Sequence, residues 1–84
     1  MTVTDNKEQH RYELEVEGQT VFADYRREGH TLFITHVESP VALRGKGAAS
    51  QLMQGVIELT GKETDVKIVP ICSYAAAWMA RHTL

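Results

Sequence analysis

Residues 35–52 read THVESPVALRGKGAASQL, and this stretch joins a strand-like segment to an amphipathic one through a loop of glycine and positive charge. After Gly47 the apolar residues recur at positions 49, 52, 53, 56 and 57, which is the spacing of one helical face. Before Pro40, the segment TLFITHVE (31–38) is apolar on both faces, as an interior strand is. The stretch therefore predicts a strand, a basic loop and a helix in succession.

Two more strands are expected before this unit. In HRYELEVE (10–17), apolar and charged residues alternate, which is typical of a strand with one buried and one solvent-exposed face. Gly18 marks a tight turn into a second alternating segment over residues 21–26, and a further turn at Gly29 leads into the third strand. The three strands are expected to form an antiparallel meander.

The C-terminal part predicts one more strand and one more helix. The first helix is expected to end near Gly61, DVKIVPI (65–71) is short and β-branched like a buried strand, and Ser73 can cap an alanine-rich helix. The strand–helix–strand unit requires a right-handed crossover with parallel strands, so the loop 39–47 and the turn 70–73 should lie at one edge of the sheet. The predicted fold class is α/β (α+β): a mainly antiparallel sheet with one parallel strand pair and two helices.

Length and charge restrict the kind of protein. The chain of 84 residues suffices for one domain, expected over residues 10–84, while the polar and aperiodic residues 1–9 predict a flexible tail. A formal net charge of −2 argues against a general nucleic-acid binder, because affinity for phosphate backbones needs a positive excess. Any anion site is therefore expected to be local.

The single cysteine and the hydropathy pattern indicate a compartment. Cys72 has no partner for an internal disulfide, so a reducing environment, and hence a cytoplasmic location, is expected. The sequence shows neither a membrane-spanning stretch nor a signal peptide, so no membrane partner is expected. The four histidines are dispersed and no second cysteine accompanies them, so no metal site is predicted. Oligomeric state is left open.

Arg44, Gly45, Lys46 and Gly47 lie directly before the predicted helix. At a helix start, several backbone N–H groups lack partners within the helix and the macrodipole is positive, so anions bind there. Glycine lets the backbone approach a ligand closely, and Arg44 and Lys46 add charge that suits phosphate. The alternative is a basic, flexible surface turn. The spacing matches neither a Walker loop nor a dinucleotide-binding fingerprint.

Arg44, Gly47 and Ala49 have the arginine-x-x-glycine-x-glycine/alanine spacing, and the motif resembles the pyrophosphate-binding loop of the GNAT acetyltransferase superfamily. The arrangement of 35–52 followed by VKIVPICSYAAAWMARH (66–82) is similar to the small single-domain GNAT-like proteins. The resemblance implies that acetyl-CoA is a co-substrate whose pyrophosphate is held by loop amides. The cofactor-binding residues that it implies are Val37, Ser39, Arg44, Gly45, Lys46, Gly47, Ala48, Ala49 and Ser50.

The chain departs from full-length GNAT enzymes in ways that leave three functions open. It passes from Val16 to Val21 through a tight turn, without the helices that build much of the acceptor groove in those enzymes. The first function is transfer of an acetyl group to an unidentified small or protein amine. The second is a CoA-binding or acyl-CoA-sensing module with little or no transferase activity. The third is a small interaction protein whose basic loop merely binds phosphate.

The resemblance also suggests residues for the chemistry. It places Cys72 at the thioester end of the cofactor, as a nucleophile or acetyl carrier, although lone cysteines also serve as buried small hydrophobes. Glu38 stands where GNAT enzymes often keep a carboxylate that takes the proton of the amine; a solvated glutamate is the alternative. Tyr74 either protonates the leaving thiolate or packs its ring. His36 shares the apolar face of a regular third strand, which predicts an interior histidine, with a role as base left open.

Overall fold

One mixed sheet and two helices make up the part of the chain that the computed structural model describes, residues 2–63 and 65–82. The strands follow one another across the sheet in chain order; the first three pairings are antiparallel and the last is parallel. The α/β fold with one parallel pair and two helices is therefore confirmed. The elements are β1 (Thr4–Asn6), β2 (Arg11–Val16), β3 (Gln19–Glu28), β4 (Thr31–Glu38), α1 (Ala48–Thr60), β5 (Lys67–Pro70) and α2 (Ser73–His82).

The core lies between the sheet and the two helices. Alternate residues of the strands point into it, as Tyr12, Val21 and Ile34 do, and α1 contributes the fully buried Leu52 and Met53. Burying an apolar side chain of this size contributes roughly 1.5–3 kcal/mol relative to leaving it exposed. The helix α1 packs on β2 and β3, while α2 packs on β4 and β5 and also contacts α1. Neither helix of the described chain has the length and apolar character needed to cross a membrane.

The parallel pair brings the two unusual loops to one edge of the sheet. The carbonyl of Ile34 in β4 accepts hydrogen bonds from the backbone N–H groups of Ile71 and Cys72, at 2.9 and 3.0 Å. The chain that leaves β5 therefore turns into α2 beside Ile34, in the middle of β4. Tyr74, at the start of α2, shares one cleft with the end of β4 and with the loop to α1. The expected neighbourhood of these two connections is confirmed.

A β-bulge in β4 overturns the expectation of an interior His36. Asp24 of β3 pairs with His36, but the next residue, Tyr25, pairs with Ile34, so Thr35 is an extra residue in β4. The extra residue reverses the alternation of side chains along the strand. Ile34 is fully buried, whereas the His36 side chain is 54% exposed. The prediction assumed a regular strand and was wrong for this reason.

The N-terminal segment also differs from its expectation. Residues 1–9 were predicted to form a flexible tail, but Thr4–Asn6 forms the edge strand β1 against β2. Val3 is buried in front of Gly55 on α1, where a Cβ on the glycine would overlap the valine side chain. The Asp5 carboxylate accepts a hydrogen bond from the hydroxyl of Tyr25 at 2.6 Å. One apolar contact and one polar contact thus hold a segment that looks featureless in sequence.

Candidate active site

A cleft of about 620 Å³ opens where β4, the loop before α1 and the start of α2 meet. It brings together residues that the sequence predicted separately, from the end of β4, the glycine loop and the start of α2. Two predicted residues, Lys46 and Cys72, are not part of its lining. The lining residues are His36, Val37, Glu38, Ser39, Leu43, Arg44, Gly45, Gly47, Ala48, Ala49, Ser50 and Tyr74.

The loop that forms one wall of the cleft is held by one buried apolar side chain and by two glycines in the left-handed backbone conformation. A short 3-10 turn over Val41–Leu43 buries Leu43 to 1% exposure, and the Leu43 N–H donates to the Pro40 carbonyl at 2.9 Å. Gly45 and Gly47 then adopt φ values of 83° and 77°. Side chains with a Cβ are strained in this region, so glycine is required at both positions for the loop to reach α1 in this way.

The first turn of α1 presents donors to the cleft. Gly47 is the N-cap, and the helix has neither a side-chain cap nor an acidic residue in its first turn. The first helical bond runs from the N–H of Gln51 to the carbonyl of Gly47, at 3.0 Å. The N–H groups of Ala48 and Ala49 precede that bond and have no partner within the helix. Together with the positive end of the macrodipole and with Arg44 at the cleft, this arrangement suits a bound anion.

Lys46 is turned toward the β2–β3 hairpin. Its ammonium lies 3.0 and 3.3 Å from the two carboxylate oxygens of Glu17, and both side chains are more than half exposed. The sequence had grouped Lys46 with the anion ligands. Pairing between residues so far apart in the chain has no local sequence signal.

Two polar side chains at the end of β4 form a pair in the cleft. His36 Nε2 lies 2.8 Å from Glu38 Oε1, and both side chains are about half exposed. Because both project from the same face after the bulge, the imidazole and the carboxylate reach the cleft together. Among the lining residues, His36 was predicted to be interior and Leu43 was not assigned a role by the sequence.

Tyr74 and Cys72 both pack against the hydrophobic core, and Tyr74 also lines the cleft whereas Cys72 does not. Tyr74 lines the cleft, and partial burial raises the pKa of its phenol, with the charge of Arg81 opposing the shift. A phenol is protonated at neutral pH at its ordinary pKa of about 10, and the upward shift keeps Tyr74 in that form. Cys72 is half-buried and packs against the hydrophobic core. This is the environment of the structural alternative considered for a lone cysteine.

Comparison with known protein families finds a match that covers most of the chain. Residues 11–84 fit the family model described as GCN5-related N-acetyl-transferase, which covers the sheet from β2 onward, the glycine loop and both helices. A comparison with curated proteins finds no match. The fit spans most of the chain and includes every residue of the cleft. The chain therefore belongs to the GCN5-related N-acetyltransferase family.

Proposed function

We propose that this protein transfers the acetyl group of acetyl-CoA to an amine and that the cofactor lies in the cleft at the start of α1. The observation that carries the proposal is the uncapped helix start beside Arg44, in one cleft with Glu38 and Tyr74. An anion-binding end and two proton-transfer groups occur together there, as an acyl transfer from a phosphorylated donor requires. The family to which the chain belongs supports acetyl transfer in general.

The residues present fit the polar end of acetyl-CoA. In the proposal, the N–H groups of the first turn of α1 donate to the pyrophosphate oxygens, and the Arg44 guanidinium adds charge. The glycines at 45 and 47 keep side chains away from the phosphates. Val37 and Ser39 flank the rest of the donor where β4 ends.

The proposed reaction is a direct attack. The amine nitrogen attacks the thioester carbonyl carbon; a C–N bond forms and the C–S bond breaks. The Glu38 carboxylate takes a proton from the amine, and His36 at 2.8 Å orients that carboxylate. The phenol of Tyr74, which is protonated at neutral pH, gives its proton to the departing thiolate.

A covalent route through Cys72 is the second mechanism. The thiolate would take the acetyl group from the donor and pass it to the amine, with the CoA thiol released in the first step. The direct route has more support, because Glu38 and Tyr74 line the cleft and Cys72 does not.

A binding module without turnover is the second candidate function. One feature of the sheet favours it: Val16 of β2 pairs with Gln19 of β3, so only a two-residue turn stands where larger enzymes of the family carry helices. The wall that would hold an acceptor is correspondingly short. Such a module would bind CoA and acetyl-CoA alike and release no thiol in the presence of amines.

The test is a titration followed by amide NMR, using acetyl-CoA, CoA and inorganic pyrophosphate, with Arg44→Glu as the charge-reversed control. We expect shifts at residues 44–50 and at 74 with both CoA species, much weakened in the variant. Thiol release on addition of amines then separates the transferase from the binding module. Equal affinity for acetyl-CoA and pyrophosphate would leave only a phosphate-binding loop and would refute the proposal.

A further inference from the structure

A hydrogen bond between the two helices ends on the first turn of α1. The indole Nε1 of Trp78 donates to the hydroxyl oxygen of Ser50 at 2.9 Å, and Trp78 is only 2% exposed. Ser50 is the third residue of α1 and lines the cleft. A buried donor on α2 is therefore connected to the edge of the proposed phosphate site.

The direction of this bond leaves the proton of Ser50 available. An indole N–H can only donate, so the Ser50 oxygen is the acceptor and its own O–H must find a partner elsewhere. Serine and threonine in helices often donate back to a carbonyl one turn earlier. Thr60, at the other end of α1, does so to the carbonyls of Val56 and Ile57. Within residues 2–63 and 65–82, the Ser50 hydroxyl has no such acceptor.

The indole is held in one position by its neighbours. The ring of His82 stacks on it with centroids 4.0 Å apart and an angle of 14° between the planes. His82 Nδ1 also lies 2.7 Å from the backbone carbonyl of Trp78. Because the ring is buried and stacked, its N–H fixes the position of the Ser50 oxygen.

We infer that Trp78 is a positioning residue for the acetyl-CoA pyrophosphate: it holds the Ser50 oxygen so that the Ser50 hydroxyl donates its proton to a phosphate oxygen in the cleft. The inference rests on the proposed function for the identity of the ligand. It assigns Ser50 a side-chain contact in addition to its backbone N–H. It also makes the anion site depend on α2, which otherwise contributes only Tyr74 to the cleft.

The test compares two acetyl donors in an NMR titration carried to saturation or to tens of millimolar. Acetyl-CoA contains the pyrophosphate, and S-acetylpantetheine ends before it. Trp78→Phe removes the indole donor and leaves a smaller aromatic ring in the core; the comparison with S-acetylpantetheine controls for the lost ring volume. We expect this variant to bind acetyl-CoA about threefold to tenfold more weakly, the loss of part of one charge-assisted hydrogen bond. Its affinity for S-acetylpantetheine should be unchanged.

Ser50→Ala and the double variant extend the test. Ser50→Ala should weaken acetyl-CoA binding at least as much, and adding Trp78→Phe to it should weaken binding no further, because the indole acts through the serine. Thr60→Val is the matched control, since it removes a helix hydroxyl far from the cleft. It should leave both affinities unchanged whatever it does to stability.

The outcomes separate this inference from the proposed function. If the wild-type protein binds acetyl-CoA and Trp78→Phe weakens both donors equally, Trp78 is only structural and the inference is wrong. Additive losses in the double variant would overturn it as well. If the wild-type protein does not bind acetyl-CoA, the proposed function is refuted, and the inference about Trp78 is refuted with it because it names the same ligand. Binding without turnover refutes the transferase alone and leaves the role of Trp78 open to the same comparison.

Discussion

The Lys46 ammonium lies 3.0 Å from a carboxylate oxygen of Glu17, so the loop before α1 is joined to the tip of the β2–β3 hairpin. The loop contains two cations, Arg44 and Lys46, and the ion pair engages only Lys46. Arg44 lines the cleft, whereas Lys46 is engaged outside it. Both side chains of the ion pair are largely exposed, so the pair is worth at most about 1 kcal/mol.

Replacing the two cations should therefore have unequal effects on cofactor affinity. Arg44→Ala is expected to weaken acetyl-CoA binding about tenfold or more, because a charge-assisted hydrogen bond is lost. Lys46→Ala should change it by less than about threefold, since only long-range attraction is removed. Isothermal titration at low and high salt measures both. A larger effect for Lys46 would mean that the lysine leaves Glu17 for the phosphates.

Gly55→Ala tests the contact that holds the N-terminal strand. Alanine favours a helix interior by about 1 kcal/mol over glycine, so the exchange would stabilise an isolated helix. Here the new Cβ would overlap Val3, and overpacking of this kind costs about 1–3 kcal/mol. We expect a net loss of unfolding free energy in urea titrations. In a Val3→Gly background, which removes the Cβ as well as the methyl groups that the new Cβ would meet, the same exchange should be neutral or stabilising. A stabilising effect in the wild-type chain would show that the Val3 side chain moves aside at no cost in free energy.

The sequence predicted those parts of the fold that depend on local pattern. Alternating residues predicted the strand β2, and the spacing of apolar residues predicted the helix α1. The crossover rule predicted the parallel pair, and the motif at 44–49 predicted the loop. The bulge at Thr35 could not be predicted, because it depends on how β4 pairs with β3. The strand β1 was missed because its residues are polar. Gly55, a glycine inside a helix, was the available signal that another segment approaches closely there.

Tyr25→Phe should change how stability depends on alkaline pH. Burial and the hydrogen bond to Asp5 raise the pKa of the Tyr25 phenol in the folded state. A raised folded pKa stabilises the protein fully below the unfolded value of about 10, and this contribution is lost as the pH rises above that value. We expect the variant to be about 1–3 kcal/mol less stable at neutral pH. Above about pH 10 its unfolding free energy should fall less steeply than that of the wild type.

Urea unfolding of both proteins at about pH 8 and about pH 10.5 measures how steeply the unfolding free energy of each falls with pH. Tyr12 also has a raised phenol pKa, mainly through burial, so part of the alkaline loss should persist in Tyr25→Phe. Parallel curves for variant and wild type would mean that Tyr25 contributes nothing to the alkaline loss.

Tyr74→Phe tests the proton donor of the proposed reaction. Removing the hydroxyl should lower kcat about 100-fold while leaving the KM for acetyl-CoA nearly unchanged, because the group acts on the leaving thiolate. Since burial raises the pKa of this phenol, its ionisation should cause no loss of wild-type activity below about pH 10. Thiol release across a pH series measures both quantities. A rise in KM at constant kcat would instead assign Tyr74 to donor binding.

Replacing Cys72 by alanine distinguishes the direct reaction from the covalent one. The direct route has the better support from the cleft, so Cys72→Ala is expected to retain kcat within about threefold of the wild type, the loss that repacking one small side chain would cause. Intact-mass analysis of the wild-type protein with acetyl-CoA alone should then show no added acetyl group. The matched control is Glu38→Gln, which should lower kcat by at least about 100-fold under the direct route. Acetylation that disappears in Cys72→Ala, together with a comparable loss of kcat in that variant, would establish the covalent route and assign Glu38 to the second step.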